Sequence, residues 1–271
     1  MTLRQANVSQ GFSSESGDIF SRRKHSDLSC RLKRIFDPCT AVRAEENHTC
    51  TGRSVATGGG MLAPIVYAGI SLPREEAERM AVEVRPPIKR GDLDQLSDIK
   101  SVAIIDGELD EASVLSTGEI IRALQRGMRI SGAASVGAMR AYETRAEGMI
   151  GHGWVFEAYC QRLITGSDEI EVLYDPYLYR QLTIPLVNVR FCLEKMIGRH
   201  RITPDEANDV MTSVGQLSLA ERDRRNILLH LTRVLGRERV KQTLKFVNPA
   251  EVDVKRSDAK QLLCFLNNAI P

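Results

Sequence analysis

The chain has 271 residues, 42% of them apolar and 27% charged, with 37 basic against 35 acidic side chains and a net charge of +2. That is the composition of a globular protein with a sizeable core, in one large domain or two small ones. It excludes the strong basicity that would announce nucleic-acid binding. No apolar run approaches the ~20 residues of a membrane span, and the N-terminus lacks a secretory apolar region, so the expectation is a cytoplasmic protein.

Residues 1–60 are polar and rich in glycine and serine, as in "VSQGFSSESGDIFSRRKHSDLSC" and "EENHTCTGRSVATGGG". Such composition does not offset the entropy cost of ordering a chain, which predicts a disordered leader ending in the linker "ATGGG". The basic runs "SRRKH" and "RLKRIF" admit a second reading, an arm that grips a partner. His25, Cys30, Cys39, His48 and Cys50 gather here, yet only His48 and Cys50 are close in sequence. Structural zinc sites bring ligands in close pairs, so neither a metal nor another cofactor is expected.

From Met61 short apolar runs alternate with helical patterns. "APIVYAG" reads as a strand ending at Gly69. Ser71 then suits an N-cap, with Pro73 in the first helical turn and Glu75 and Glu76 near the positive helix end. "VEVRPPI" reads as a second strand and "RGDLDQLSD" as a short helix. "SVAIIDG" (101–107) is the clearest buried strand, ending in Asp106 and Gly107.

Ser116 and Glu119 form a capping-box pattern that opens the helix "GEIIRALQRG", which Gly127 terminates. "MRISGAAS" is the next strand and "VGAMRAYETRAEG" the next helix. Alternation of this kind predicts an α/β fold: a mostly parallel open sheet with flanking helices. Sites in such sheets form beyond the carboxyl ends of strands, where Gly69 and Ser71, Asp106 and Gly107, and Ser135, Val136 and Gly137 all fall. "GMIGHGW" reads as a loop and "GWVFEAYCQRLI" as a helix. "DEIEVLYDP" reads as an extended edge. Capping boxes at Thr203–Glu206 and Ser218–Glu221 open helices of a C-terminal helical subdomain, closed by the tail helix "RSDAKQLLCFLNN". The expected division is 1–60 leader, 61–175 α/β core and 176–271 helical subdomain.

Ser135 supports three readings: a helix N-cap, the edge of an anion site at a helix N-terminus, or a nucleophile on a sharp turn with the Val136 and Gly137 N–H groups as oxyanion donors. It is half a nucleophile elbow, since Ala133 stands where the first glycine belongs and Gly132 lies one residue earlier. His152 is either the base for that serine or an exposed loop histidine. Asp106 is a site residue or a turn-forming Asp-Gly pair. Glu169 and Glu171, on one face of an extended strand, would either split acid and base roles or form a solvated edge. Arg140 is a candidate for holding an anion.

The blocks "YAGISLP", "RPPIKRGDL", "IIDGEL", "TGEIIRALQRGMRISGAASVGAMRAYE", "GMIGHGWVFEAY" and "SDEIEVLY" resemble, in sequence and order, the TfuA-like core domain over roughly residues 65–174. "GAASVGAMRAYE" is the most specific of them. The resemblance places Gly69, Ser71, Asp106, Gly107, Glu119, Ser135, Gly137, Arg140, Glu143, Gly151 and Glu169 in shared blocks. It implies action beside a YcaO-type protein in backbone thioamidation of a ribosomally made precursor peptide, as in trifolitoxin. It also implies sulfide supply from a thiocarboxylated ThiS-like sulfur-carrier protein, recruited or hydrolysed by a serine-type acyl transfer. The family usually reads Gly-Pro-Ser or Gly-Pro-Thr where this chain has Gly69-Ile70-Ser71. It often has a His-Lys-Glu-Ile run where this chain has Ser-Thr-Gly before Glu119. If that histidine is a base, His152 or a carboxylate serves instead. Two other readings stay open: a non-catalytic adaptor for a YcaO–peptide complex, and an independent serine esterase or thioesterase.

Overall fold

Five short parallel strands build the sheet, and the inner ones alternate their side chains between two apolar layers. In the computed structural model, residues 64–81, 83–96, 101–244 and 252–268 are described; the expected leader, its basic runs and the His25–Cys50 group lie outside them. The strands are β1 (Ile65–Tyr67), β2 (Glu83–Arg85), β3 (Ser101–Ile104), β4 (Arg129–Ala133) and β5 (Ile150–His152). Ile65, Tyr67, Val102 and Ile104 enter one core, whereas Val66, Ala68, Ala103 and Ile105 enter the other. This two-residue period buries both faces of the sheet, as parallel sheets require.

The strand order is β2-β1-β3-β4-β5, with every neighbouring pair parallel. In this doubly wound order the chain leaves β1 in opposite directions toward β2 and β3, and the crevice beyond their carboxyl ends is where ligands bind. The expected α/β fold, with a parallel open sheet, flanking helices and further helices C-terminal to it, is the observed one.

Several local expectations differ. Helix α1 (Arg74–Ala77) is a single turn with Pro73, not Ser71, at its N-cap; Ser71 is engaged elsewhere. Residues 90–95, the described start of the expected helix, form turns instead, because the Glu119 carboxylate accepts the N–H groups of Gly91 (2.9 Å) and Leu93 (2.8 Å). For the same reason the capping box of α2 (Thr117–Gln125) is half formed: Ser116 accepts from the Glu119 N–H, but Glu119 does not reach back. Gly127, at φ +87°, ends that helix as expected.

Helix α3 (Val136–Glu143) follows β4 directly. Residues 150–152, expected in a loop, form edge strand β5, and α4 (Gly153–Cys160) starts immediately after it. Residues 168–173 hold no strand, and only an isolated antiparallel bridge joins Tyr174 to Gln181. The C-terminal helices are α5 (Leu186–Gly198), α6 (Pro204–Val214), α7 (Arg224–Leu235), α8 (Arg237–Leu244) and α9 (Val254–Asn268). The Thr203 capping box is complete at α6, whereas that of Ser218 opens only a 3-10 turn, Leu219–Glu221. Helices α5 to α8 share their own apolar cluster, including Leu193, Val210, Val214 and Leu231. Helix α9 instead packs on the sheet, where Ala259, Leu262 and Leu263 join Val66, Ala103 and Ala133. Each fully buried leucine there contributes about 1.5–3 kcal/mol of hydrophobic burial. No described helix is long and apolar enough to cross a membrane.

Candidate functional site

The first segment beyond a strand end is β1's. Its extended exit, with Gly69 at φ +159°, points three successive N–H groups at one carboxylate. Asp106 Oδ2 accepts from Gly69 (3.1 Å), Ile70 (2.9 Å) and Ser71 (2.8 Å), and Oδ1 accepts the Ser71 hydroxyl at 2.5 Å. Asp106 is 1% exposed. The Gly69–Ser71 segment, expected at the site rim, thus holds this protein's own carboxylate, tying the end of β1 to the end of β3. Gly107 follows with Ile88 and Val136 so close that a Cβ would meet Ile88 Cγ2 at 2.9 Å.

The turn after β4 is sharper. Ala134 adopts φ +67° and is fully buried, a left-handed conformation that costs a non-glycine residue about 1–3 kcal/mol. Ser135 sits at the N-cap position of α3, but its hydroxyl makes no cap hydrogen bond. The cap reading therefore loses its usual physical content, since the cap's value lies in that bond. The small residues are explained by close approach. A Cβ on Gly132 would lie 2.1 Å from the Gly137 carbonyl oxygen, and one on Gly137 only 1.8 Å from that of Ile104. Helix α3 is thus pressed onto β3 and β4 at backbone distance. The Gly137 N–H is directed at the Ile105 carbonyl at 3.4 Å, so of the two expected oxyanion donors it is already engaged.

Ser135 opens into a cavity of ≈ 240 Å³ whose lining includes Ile70, Gly107, Glu108, Asp110, Glu171, Tyr174 and Lys255. These come from the ends of β1, β3 and β4, from the segment before α5, and from α9. It is the crevice that the strand order predicts. At the mouth, the Tyr174 hydroxyl donates to Glu108 Oε2 (2.9 Å), and burial beside this carboxylate pushes the phenol up to about 12. Inside, Lys255 is 1% exposed, and its Nζ donates to the Ile170 carbonyl at 2.8 Å. It has no ion-pair partner within 4 Å among the described residues. Burial lowers its pKa, opposed by the negative charges of Asp106 and Asp253.

The remaining sequence candidates lie apart from this lining. His152 ends β5, opposite Ala133, and its ring packs on Phe265 of α9 at 4.5 Å. Its Nε2 is buried without a hydrogen-bond partner among the described residues, and burial lowers its pKa. It is neither an exposed loop histidine nor hydrogen-bonded to Ser135. Glu169 is held by Arg190 in a two-pronged pair at 2.8 and 2.6 Å, while Glu171 faces the cavity; the two carboxylates do not share a strand face. Arg140 pairs with Glu143 on its own helix, and its Nε is buried without a partner among the described residues.

Sequence reasoning missed Lys255. The signal is weak but present: Val254, Lys255, Asp258, Ala259, Leu262 and Leu263 form the buried stripe of α9, and two charged residues on such a stripe are out of place. Asp258 caps α4 from this stripe, accepting the N–H groups of Trp154 (3.0 Å) and Val155 (2.8 Å).

Ser135 thus lines the strand-end crevice of a doubly wound parallel sheet. Residues 106–223 match the model of the TfuA-like protein family, so this part of the chain is similar to that family. The match starts at Asp106 and runs through Ser135, Lys-free α3 and α4, and on to Asp223 at the start of α7. The search for similar curated proteins found no match.

Proposed function

We propose that this protein supplies sulfide for YcaO-dependent thioamidation of a precursor peptide, by acyl transfer at Ser135 from the thiocarboxylated C-terminus of a ThiS-like carrier protein. The TfuA-like family supports the setting. The observation that carries the chemistry is Ser135 itself: a hydroxyl free of any cap bond, on a strained turn, facing a cavity at the carboxyl ends of three parallel strands. In this reading the Ser135 oxygen attacks the thiocarboxylate carbon, the C–S bond breaks and hydrosulfide leaves. Water then hydrolyses the acyl-serine to the carrier's carboxylate. In the same reading the Val136 N–H, at the positive end of α3, favours the developing oxyanion.

A specific observation favours a second reading, an adaptor that docks a partner. Tyr177, Leu178 and Leu182 are 90%, 69% and 55% exposed, close in sequence to the cavity residue Tyr174. Large exposed apolar side chains clustered this way mark interaction surfaces. The two readings separate in one assay, sulfide release from a thiocarboxylated carrier by the purified full chain: an adaptor binds the carrier and releases nothing.

A further inference from the structure

We propose that Lys255 is the general base that activates Ser135, making the cavity a serine–lysine site; the inference rests on Ser135 acting as a nucleophile. Ser135 lies at the start of α3 and Lys255 at the start of α9, more than a hundred residues later, yet both open into the same ≈ 240 Å³ cavity. Each is incompletely partnered. The serine hydroxyl makes no cap bond, and the amine has one acceptor, the Ile170 carbonyl.

With a single neutral acceptor and no salt bridge among the described residues, a buried ammonium is costly, and burial shifts the lysine toward the neutral amine. A neutral amine has two N–H groups and one lone pair. One N–H is spent on Ile170, and the lone pair is available to accept a proton. His152 and Glu169, the bases the sequence offered, do not line this cavity. His152 stacks on Phe265 outside the lining, and Glu169 is neutralised by Arg190. The carboxylates that bear on the amine are Asp106 and Asp253 by charge, with Glu108, Asp110 and Glu171 around the same cavity. They favour its protonated form once the proton has been taken, which is what a base needs in the transition state.

In the step, the Ser135 Oγ–H proton moves to Lys255 Nζ as the Oγ–C bond forms. When the C–S bond breaks, the sulfur leaves with its electron pair, and the ammonium returns the proton to it. Lys255 then takes a proton from the water that attacks the acyl-serine, and gives it to Ser135 Oγ as the C–Oγ bond breaks, releasing the carrier's carboxyl group and restoring both the serine and the neutral amine. The cycle balances with no outside oxidant or reductant.

An alkyl fluorophosphonate tests the pair without any carrier protein, since Oγ–P bond formation with loss of fluoride needs the same deprotonation. The full chain is labelled across a pH series, and the modified residue is located by peptide mass spectrometry. Labelling is expected at Ser135, with a rate that rises along one ionisation below the ordinary lysine value of about 10.4. Lys255→Met should cut the rate about 10²–10⁴-fold, and so should Lys255→Arg, whose guanidinium keeps the charge but cannot accept a proton. Melting curves confirm that the variants are folded. Equal labelling of the wild type and Lys255→Met overturns the base while leaving the serine nucleophile standing. Retained labelling in Lys255→Arg overturns it in favour of a cation that only holds an anion. Absence of Ser135 labelling in the wild type removes the nucleophile and the base together. Should both variants fail to fold, the wild-type profile decides, because a rate without a pH-dependent limb contradicts a titrating base.

Discussion

The Ser71 hydroxyl donates to Asp106 Oδ1 at 2.5 Å, and the Ser71 N–H donates to Oδ2 of the same carboxylate at 2.8 Å. Two strand ends separated by the switch in chain direction are thereby clamped by one buried side chain. Asp106→Ala leaves three N–H groups and a hydroxyl without their acceptor. Each buried unsatisfied group costs about 1–3 kcal/mol, so denaturant unfolding should show a loss of at least about 3 kcal/mol. Most of the activity loss should follow the folded fraction, with a smaller part from the lost charge near Lys255. A folded, stable and inactive Asp106→Ala protein would make Asp106 a participant in the chemistry instead.

Gly137 should tolerate no side chain. Its missing Cβ would lie 1.8 Å from the Ile104 carbonyl oxygen, and backbone cannot swing away as a flexible side chain can. Gly137→Ala should lose about 3 kcal/mol or more through overpacking or express as insoluble protein. Gly148→Ala is the control for expression: nothing lies within 4 Å of its Cβ position, although φ +108° makes it mildly unfavourable.

Much of this framework is legible in the sequence, and the reasons differ by element. "IVY" and "VAII" are unbroken apolar runs of the kind a sheet buried on both faces requires, and Gly127 and Gly148 end their segments by backbone conformation alone. Strand β5 hides because Ile150-Gly151-His152 holds one apolar residue, 50% exposed at an edge. The turns at 90–95 mimic a helix through Leu93 and Leu96, whereas a carboxylate twenty-six residues away decides their course. Ser135 and Asp106 are visible at strand ends. The partner across the cavity is not, since a lone lysine in a tail helix carries no local sign of where tertiary packing places it.

Asp258 gives a pH dependence. Burial pushes its carboxyl up to about 7 despite the two N–H groups it accepts. The folded state therefore holds a proton that the unfolded chain, with an ordinary aspartate near 3.9, releases. The stability this contributes is fully present below about pH 4 and is lost as pH rises through about 7. Asp258→Asn lacks that proton. The stability of the wild type relative to Asp258→Asn, measured by urea unfolding, should fall between pH 4 and 8. His152, whose pKa burial lowers, drives the opposite trend in both proteins and cancels in the difference. A flat difference would mean that Asp258 is not buried beside α4.

Ser135→Ala should leave the fold intact. The hydroxyl makes no cap bond, so the stability change should stay within about 0.5 kcal/mol, read by denaturant midpoint. A loss near the usual 1 kcal/mol of a serine cap would show that the side chain caps α3 in solution.

The central claim is tested most directly by following hydrosulfide release from a thiocarboxylated ThiS-type carrier, with the wild type and Ser135→Ala side by side at equal folded concentration. Nucleophilic catalysis predicts steady hydrosulfide release by the wild type, with the carrier recovered as its carboxylate, and a rate lower by about 10³-fold or more in Ser135→Ala. Equal rates in the two proteins, or no release by either, would contradict it.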